Sequence, residues 1–218
     1  MRRTDLLRYR RDLGWTDPPE IPEDEVSPSG SGDPAENLES LSRSLADCTR
    51  CPLSEKRKNV VFGEGSAEAR VMFVGEGPGA EEDRTGRPFV GQAGKLLDGM
   101  IAALGLKRSE VYIANVVKCR PPRNRDPKPE EMAVCSEFLH RQIDLIRPEV
   151  IVPLGRIAAR HLTGSDRSMG ALRGRWGRFR GIPLLPTYHP AYLLRSPLEK
   201  RKTWSDLKAV RAKLSETP

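Results

Sequence analysis

The alternation of short apolar runs with helical patterns is the feature that most restricts how this chain folds. Four runs are apolar and end in a turn signal, at residues 70–74, 111–117, 150–154 and 182–186. Helical patterns lie between and after them, at residues 91–104, 129–146, 156–162 and 197–214. Strands and helices in alternation join through right-handed crossovers into a parallel sheet that is covered on both faces. We therefore predict a three-layer α/β/α fold around a central four-stranded parallel sheet.

The first 36 residues differ in composition from the rest. They carry five basic and nine acidic side chains, a net charge of −4, which leaves +11 for residues 37–218. A short helix is expected within residues 1–14, whereas residues 17–36 are rich in Pro, Glu, Ser and Gly, which bury too little apolar surface to fold. We predict an N-terminal extension with a flexible acidic tether over residues 1–36 and one folded domain over residues 37–218.

Nothing in the composition indicates a membrane protein. Only 37% of the residues are apolar, and no stretch approaches the roughly 20 apolar residues that a membrane span requires. The first 15 residues contain five arginines and no apolar run, so they do not resemble a secretory signal. We expect a cytoplasmic protein in a reducing compartment.

Four cysteines make up the whole thiol content of the chain, at Cys48, Cys51, Cys119 and Cys135. A helix predicted at residues 34–46 leads into the first pair, and the other two lie far downstream in separate segments. Such spacing brings four thiolates onto one metal centre once the chain folds. Disulfides are rare in a reducing compartment, but they and unlinked thiols stay open as alternatives. The wide separation of the second pair favours an iron-sulfur cluster over zinc, which is the other metal considered.

Two groups of basic residues indicate a phosphate-rich partner. The first surrounds Trp176 and Phe179 and consists of Arg167, Arg173, Arg175, Arg178 and Arg180. The second consists of Lys118, Arg120, Arg123, Arg125 and Lys128. Basic groups with aromatic neighbours suit a nucleic-acid backbone, although solvated charge without a partner is the plain alternative.

The residues that follow each predicted strand are the candidates for binding, because ligands in such folds lie at the carboxyl ends of the strands. The first strand leads into GEGPGAEED, residues 75–83, where Gly75 and Gly77 let the backbone approach a ligand and Glu76 stands at the mouth. A tight structural turn is the alternative. The loop GRPFVGQAG, residues 86–94, then offers Phe89 as a stacking platform, unless that side chain fills the core.

Polar groups also mark the second and fourth strands. Asn115 interrupts the apolar run at residues 111–117, and its carboxamide suits a base edge or, alternatively, a turn. His189 lies at the end of the fourth strand. His140 and His161 fall within helical patterns, and we assign them no functional role. The residues after His189 have bulky side chains next to a positively charged one. Such side chains could insert between stacked bases of a nucleic acid or, alternatively, pack against the last helix. They are Tyr192, Leu193, Leu194 and Arg195.

In combination, these motifs resemble the family 4 uracil-DNA glycosylases, the iron-sulfur branch of that superfamily. The resemblance rests on GEGPGAEED, GRPFVGQAG, NVVKCRPP, HPAYLLR and the order of the four cysteines, and it covers about residues 38–214. It implies a monofunctional repair enzyme that flips uracil out of DNA and hydrolyses the N-glycosidic bond. It also implies a 4Fe-4S cluster held by the four cysteines.

The resemblance assigns a role to each candidate residue. Glu76 positions or deprotonates the attacking water, and a neutral His189 donates a hydrogen bond to uracil O2. Phe89 stacks on the flipped base, Asn115 reads its Watson-Crick edge, and Glu82 excludes the thymine methyl group. Backbone groups of the glycine turn assist binding, and the segment after His189 contacts DNA. The residues of those last two groups are Gly75, Gly77, Tyr192, Leu193, Leu194 and Arg195.

The expected partner is uracil-containing DNA, and we expect a monomer whose tether is a candidate contact for a replication or repair protein. Two functions of other classes stay open from the sequence. An iron-sulfur electron carrier would need the cysteines but not Asn115 or His189. A nucleic-acid binding module stapled by a metal would need the basic residues but no catalytic group.

Overall fold

The structure is a computed structural model that describes residues 34–216. The helix predicted at residues 1–14 lies outside the described residues, as does nearly all of the predicted tether. Within the described part, no helix is long and apolar enough to cross a membrane.

Residues 34–216 form eight α-helices and six strands. The helices are α1 Pro34–Leu45, α2 Ala80–Thr85, α3 Gln92–Ala103, α4 Pro129–Ile146, α5 Gly155–Thr163, α6 Met169–Leu172, α7 Pro190–Arg195 and α8 Lys200–Ser215. The strands are β1 Glu64–Gly65, β2 Val71–Gly75, β3 Tyr112–Asn115, β4 Val150–Pro153, β5 Gly177–Phe179 and β6 Ile182–Leu184. Four 3-10 turns lie at Pro52–Glu55, Arg108–Glu110, Pro122–Asn124 and Pro197–Glu199.

The strands form one sheet in the order β1-β3-β2-β4-β6-β5. The four inner strands pair in parallel, and β1 and β5 pair antiparallel at the two edges. The α/β class is confirmed, but the prediction of four strands was wrong because two edge strands were missed. Each edge strand has only two or three residues, and none of them is buried, so neither strand leaves an apolar run in the sequence.

Helices cover both faces of the sheet because the strand side chains alternate between them. Met72 and Val74 of β2 pack with residues of α4 and α5. Val71 and Phe73 pack with residues of α3 and α8. Every residue of β2, β3 and β4 is buried, which explains why the sequence shows these strands as unbroken apolar runs.

Local sequence explains where the long helix α4 begins. Pro129 occupies its first turn, and the side chain of Glu131 accepts a hydrogen bond from the Lys128 amide at 2.8 Å, so the N-terminus is capped. The bounds Pro129–Ile146 agree with the prediction, and the helix carries Cys135 on its buried side.

Candidate active site and thiol cluster

Gly75 is the point at which three candidate residues meet. It ends β2 and is paired with Asn115 at the end of β3. A Cβ atom added to Gly75 would lie 2.6 Å from Cζ of Phe89 and closer still to Oδ1 of Asn115. Because no side chain fits there, the backbone of Gly75, the ring of Phe89 and the amide of Asn115 form one continuous surface.

The side-chain oxygen of Asn115 is a buried acceptor without a donor. The residue is 1% exposed, and Oδ1 has no hydrogen-bond partner within residues 34–216. A buried polar atom left unpaired costs about 1–3 kcal/mol, so the position of this oxygen needs a physical explanation. The oxygen is therefore suited to accept an N–H group of a ligand that lies against Phe89.

Phe89 is held in a backbone conformation that non-glycine residues rarely adopt. Its φ is 50°, in the left-handed region, where such a residue costs about 1–3 kcal/mol. The guanidinium of Arg108 donates to the carbonyls of Phe89 at 3.3 Å and Pro88 at 2.5 Å. Sequence reasoning missed Arg108, because no pattern around it indicates this contact. Phe89 is 6% exposed and packs in the core, next to the end of β2.

His189 is arranged as a neutral hydrogen-bond donor. Its Nδ1 accepts from the amide of Ala191 at 3.1 Å, so the proton of the neutral imidazole lies on Nε2. Burial, and then the charge of Arg195, lowers the pKa of His189 to about 4. The ring lies 5.6 Å from that of Phe89, centroid to centroid. Gly155, with φ of 84°, makes room for it, since a Cβ there would lie 2.8 Å from Cβ of His189.

Glu76 directly follows Gly75, next to the surface formed by Gly75, Phe89 and Asn115, and is half-buried. Burial, and then the negative charge of Asp126, raises the pKa of Glu76 to about 7, against the opposing effect of Arg156. Asp126 and Arg156 form an ion pair at 2.5 Å. A carboxyl group that is half ionised near neutral pH suits a general base.

Glu82 ties together the two loops that frame the pocket. One carboxylate oxygen accepts from the amide of Gly79 at 3.1 Å, and the other accepts from the amides of Val90 at 2.9 Å and Gly91 at 3.0 Å. These bonds fix the glycine turn against the segment that follows Phe89. The sequence indicated only steric exclusion for Glu82, and it missed this positioning function because the partners lie in a separate loop.

The segment after His189 forms α7 rather than a loop. Pro190 occupies its first turn, and His189 caps it through Nδ1. Tyr192 and Leu194 are 36% and 45% exposed, whereas Leu193 is only 1% exposed and packs in the core. Leu193 is therefore not exposed in this structure, because one helix turn places neighbouring residues on opposite faces, and its contact with DNA stays a prediction. Arg195 is exposed beside Leu194.

In each of the two predicted basic groups, some side chains are exposed and others are buried or paired with a carboxylate. Lys118 is 0% exposed, so it is not a surface cation. Arg173 pairs with the buried Asp206, Arg180 with Asp144, and Arg125 with Glu131. Lys118 is therefore not available to a phosphate backbone, and Arg125 and Arg173 are each held by a buried carboxylate, whereas Arg180 stays exposed. The exposed basic side chains in the two groups are those of Arg123, Lys128, Arg167, Arg175, Arg178 and Arg180.

Folding brings the four cysteines into one region, and none of them is in a disulfide. Cys48 and Cys51 lie close enough to Cys119 to raise its pKa, and Cys51 and Cys119 lie close enough to Cys135 to do the same. Burial raises the pKa of the Cys135 thiol to about 11 and, less strongly, that of Cys119. Within residues 34–216, no three His, Cys, Asp or Glu side chains lie close enough together to hold a single metal ion.

Hydrogen-bond donors face two of the sulfur atoms. Nη1 of Arg57 lies 3.3 Å from Sγ of Cys119 and also donates to the carbonyl of Cys48 at 2.6 Å. The amide of Lys118 donates to Sγ of Cys135 at 3.2 Å. Donors directed at sulfur are typical of the surroundings of iron-sulfur clusters. An all-thiolate donor set with such donors fits a cluster of this kind.

The family of the chain follows from comparison with known proteins. The family model described as the uracil DNA glycosylase superfamily matches residues 62–208, which contain every candidate catalytic and base-binding residue. The chain belongs to the uracil-DNA glycosylase superfamily.

Individual members of the superfamily indicate the branch. The type-4 uracil-DNA glycosylase of Thermotoga maritima is 51% identical over 165 residues, which are 74% of this chain and 85% of that protein. The type-4 enzyme of Archaeoglobus fulgidus is 44% identical over 185 residues, 80% of this chain and 92% of that protein. The type-5 enzyme of Pyrobaculum aerophilum is 31% identical over 185 residues, 68% and 80% of the two chains. The higher identities confirm the family 4 resemblance.

Proposed function

We propose that this protein excises uracil from DNA as a monofunctional uracil-DNA glycosylase of the family 4 type, releasing free uracil and leaving an abasic site for base excision repair. The observation that carries the proposal is the unpaired Oδ1 of Asn115, buried beside the ring of Phe89. A base inside a duplex does not reach such a pocket, so the target nucleotide is flipped out of the stack. The names of the type-4 relatives support the same substrate.

The pocket selects uracil through hydrogen-bond polarity. Uracil N3–H donates to Oδ1 of Asn115, and uracil O4 accepts from Nδ2 of the same amide. Cytosine presents an acceptor at N3 and a donor at C4, so both contacts would become repulsive and the buried amide would stay unpaired. Sites built around such bonds reject the wrong partner strongly. We assign the exclusion of the thymine methyl group to Glu82 and to the loops that its carboxylate fixes.

The reaction breaks the bond between C1′ of the sugar and N1 of uracil, and the electron pair leaves with the base as an anion. His189 stabilises that anion by donating Nε2–H to O2, an effect worth about 3 kcal/mol for one well-placed donor. Water adds to C1′, and its proton passes to the carboxylate of Glu76, whose charge also offsets the positive sugar. The backbone amides of the glycine turn, at Gly75 and Gly77, assist at the base.

We assign a 4Fe-4S cluster to Cys48, Cys51, Cys119 and Cys135, which supply its thiolate ligands. When bound, it cross-links three chain segments and contributes no atom to the reacting bond. It would thereby join the segment that follows α1, the segment that follows β3, and helix α4. Residues 120–128, which carry Arg123 and Lys128, lie between two of the ligands and are held for contact with the DNA backbone.

The experiment that tests this function uses an oligonucleotide with a single uracil, and matched strands with thymine or cytosine at that position. Incubation with the protein followed by alkali should cut only the uracil strand, and free uracil should appear in equal amount. Without alkali, the strand should stay intact, because the protein has no lyase step. Uracil release at the background rate would refute the function.

The pKa of Glu76 gives a pH prediction. With a pKa of about 7, the active carboxylate is lost as the pH falls below 7, so the single-turnover rate should drop about tenfold per pH unit there and level off above pH 8. His189 stays neutral across this range, since its pKa is about 4. Glu76→Gln should slow the reaction and abolish the pH dependence near 7. A wild-type profile that is flat from pH 5 to 8 would contradict the role of Glu76 as base.

Replacing one buried thiolate should damage the fold and DNA binding together. Cys119→Ser removes a ligand that is 6% exposed, and we expect loss of bound iron, a lower unfolding temperature and at least about tenfold weaker DNA binding. Iron analysis, thermal unfolding and DNA titration check these three results. Ser54→Ala is a matched control, because Ser54 contacts the carbonyl of Cys51 without being a ligand. A well-folded Cys119→Ser protein without iron and with full activity would contradict the scaffold role.

A further inference from the structure

Lys118 is a fully buried lysine whose ammonium group reaches the base-reading strand. It is 0% exposed, and Nζ donates to the carbonyl of Asn115 at 2.9 Å and to Oε1 of Gln142 at 2.6 Å. The amide of Gln142 donates in turn to the carbonyl of Phe62 at 3.0 Å and to the hydroxyl of Tyr112 at 3.1 Å. Burying a cation costs several kcal/mol unless an opposite charge and hydrogen bonds compensate it.

No carboxylate supplies that opposite charge. Within residues 34–216, no Asp or Glu forms an ion pair with Lys118. Cys135 is close enough to act electrostatically on the ammonium, and its Sγ accepts from the backbone amide of Lys118 at 3.2 Å. As a ligand of the proposed cluster, Cys135 would be a thiolate and would supply the negative charge. Lys118 directly precedes Cys119. Lys118 therefore contacts Cys135 through its backbone amide and Asn115 through its side chain.

The chain between Asn115 and Cys119 needs this support because β3 ends at Asn115. Beyond the strand, the backbone amide of Val116 donates to the carbonyl of Gly75 at 3.0 Å, and the amide of Val117 donates to the carbonyl of Glu76 at 3.1 Å. The carbonyl of Asn115 itself is held by Nζ of Lys118. A shift of that carbonyl rotates the peptide and moves the carboxamide relative to Phe89, so the lysine influences the pocket without lining it.

We propose that Lys118 is a positioning residue that balances the thiolate charge of the cysteine cluster and fixes Asn115 in its base-reading orientation. The proposal rests on the function proposed above. This residue then links the metal-binding region to uracil recognition. Its charge acts on the thiolates, and its side-chain hydrogen bond holds the carbonyl of Asn115. A lysine that merely filled the core would affect stability alone.

The test compares Lys118→Met with wild type in the iron-loaded protein. Methionine keeps the length and fills the space, but it removes the charge and both hydrogen bonds. We expect single-turnover uracil release to fall about 10- to 100-fold, with DNA affinity within about twofold of wild type. The reduction potential of the bound cluster should move to a more negative value, because a nearby positive charge is lost. Wild-type rate and potential in a folded Lys118→Met protein would overturn the proposal.

Two further variants keep the test decisive if Lys118→Met does not fold. Gln142→Met removes one of the two acceptors and keeps the charge, so the rate should fall less than in Lys118→Met and the potential should stay near the wild-type value. Tyr112→Phe is the matched control, since Tyr112 contacts Gln142 but not Lys118, and its rate should stay within about twofold of wild type. Equal rates in Gln142→Met and wild type would contradict the hydrogen-bonding part of the proposal.

The outcomes also separate this proposal from the proposed function. A wild-type protein that releases no uracil refutes the function, whereas the potential of Lys118→Met still decides whether the lysine balances the thiolate charge. An active wild type together with an unchanged Lys118→Met variant refutes only the role of the lysine.

Discussion

Replacing His189 with alanine is expected to slow uracil release by about 100- to 1,000-fold, the usual cost of one missing donor to a developing anion. The arrangement explains the size of the effect, because Nδ1 is occupied by the Ala191 amide and a pKa of about 4 keeps the ring neutral. Nε2–H is therefore available to the leaving base without a change of protonation. Single-turnover kinetics on a uracil duplex measure the rate, and binding to a duplex with an abasic-site analogue should stay within about twofold.

His161→Ala is the matched control for this variant. His161 is also half-buried and burial lowers its pKa as well, but it lies in α5 and stacks on His140 rather than on Phe89. Its loss should leave the rate near that of wild type. If His189→Ala kept more than about a third of the wild-type rate, the donor role of His189 would be contradicted.

Replacing Asn115 with alanine should also lower the uracil-release rate by at least about 100-fold, because the base loses both contacts that fix it. The same change is expected to leave the free energy of unfolding nearly unchanged. It removes a buried acceptor that has no partner within residues 34–216, and that gain offsets much of the lost packing. Single-turnover kinetics and thermal unfolding measure the two quantities on the same preparation.

Asn59→Ala is the control, because we expect it to reduce stability and to leave the uracil-release rate almost unchanged. The amide of Asn59 is satisfied, because Nδ2 donates to the carbonyls of Asp83 at 2.8 Å and Arg84 at 3.1 Å. Its removal should reduce stability by about 1 kcal/mol and affect the rate far less than Asn115→Ala does. A strongly destabilised Asn115→Ala protein with normal uracil release would show that Asn115 is structural.

The inner sheet and the long helices could be predicted because their side chains repeat with clear periods. The run at residues 150–154 and the helix at residues 129–146 match β4 Val150–Pro153 and α4 Pro129–Ile146 closely. Short elements lack this signal. Helix α7 has six residues, less than two turns, so HPAYLLR is too short to show the repeated apolar spacing from which the burial of Leu193 could be inferred.

The candidate pocket was predictable in its residues but not in its contacts. Gly75, Phe89, Asn115 and His189 each follow a strand or a turn, and parallel topology brings such positions to one edge. The burial of Lys118 was not predictable, because a lysine beside Arg120 and Arg123 suggests a surface patch. Its partner Gln142 lies in another helix, and only tertiary structure brings them to 2.6 Å. The ion pair of Arg173 with Asp206 was missed for the same reason.

The central claim is that one pocket, formed where β2 and β3 end and where α7 begins, binds uracil for excision. A crystal structure of the protein with free uracil tests it most directly. We predict a uracil ring against the face of Phe89, with N3 in hydrogen-bond distance of Oδ1 of Asn115 and O2 in hydrogen-bond distance of Nε2 of His189. Uracil bound elsewhere, or bound in this pocket with N3 directed away from Asn115, would contradict the account.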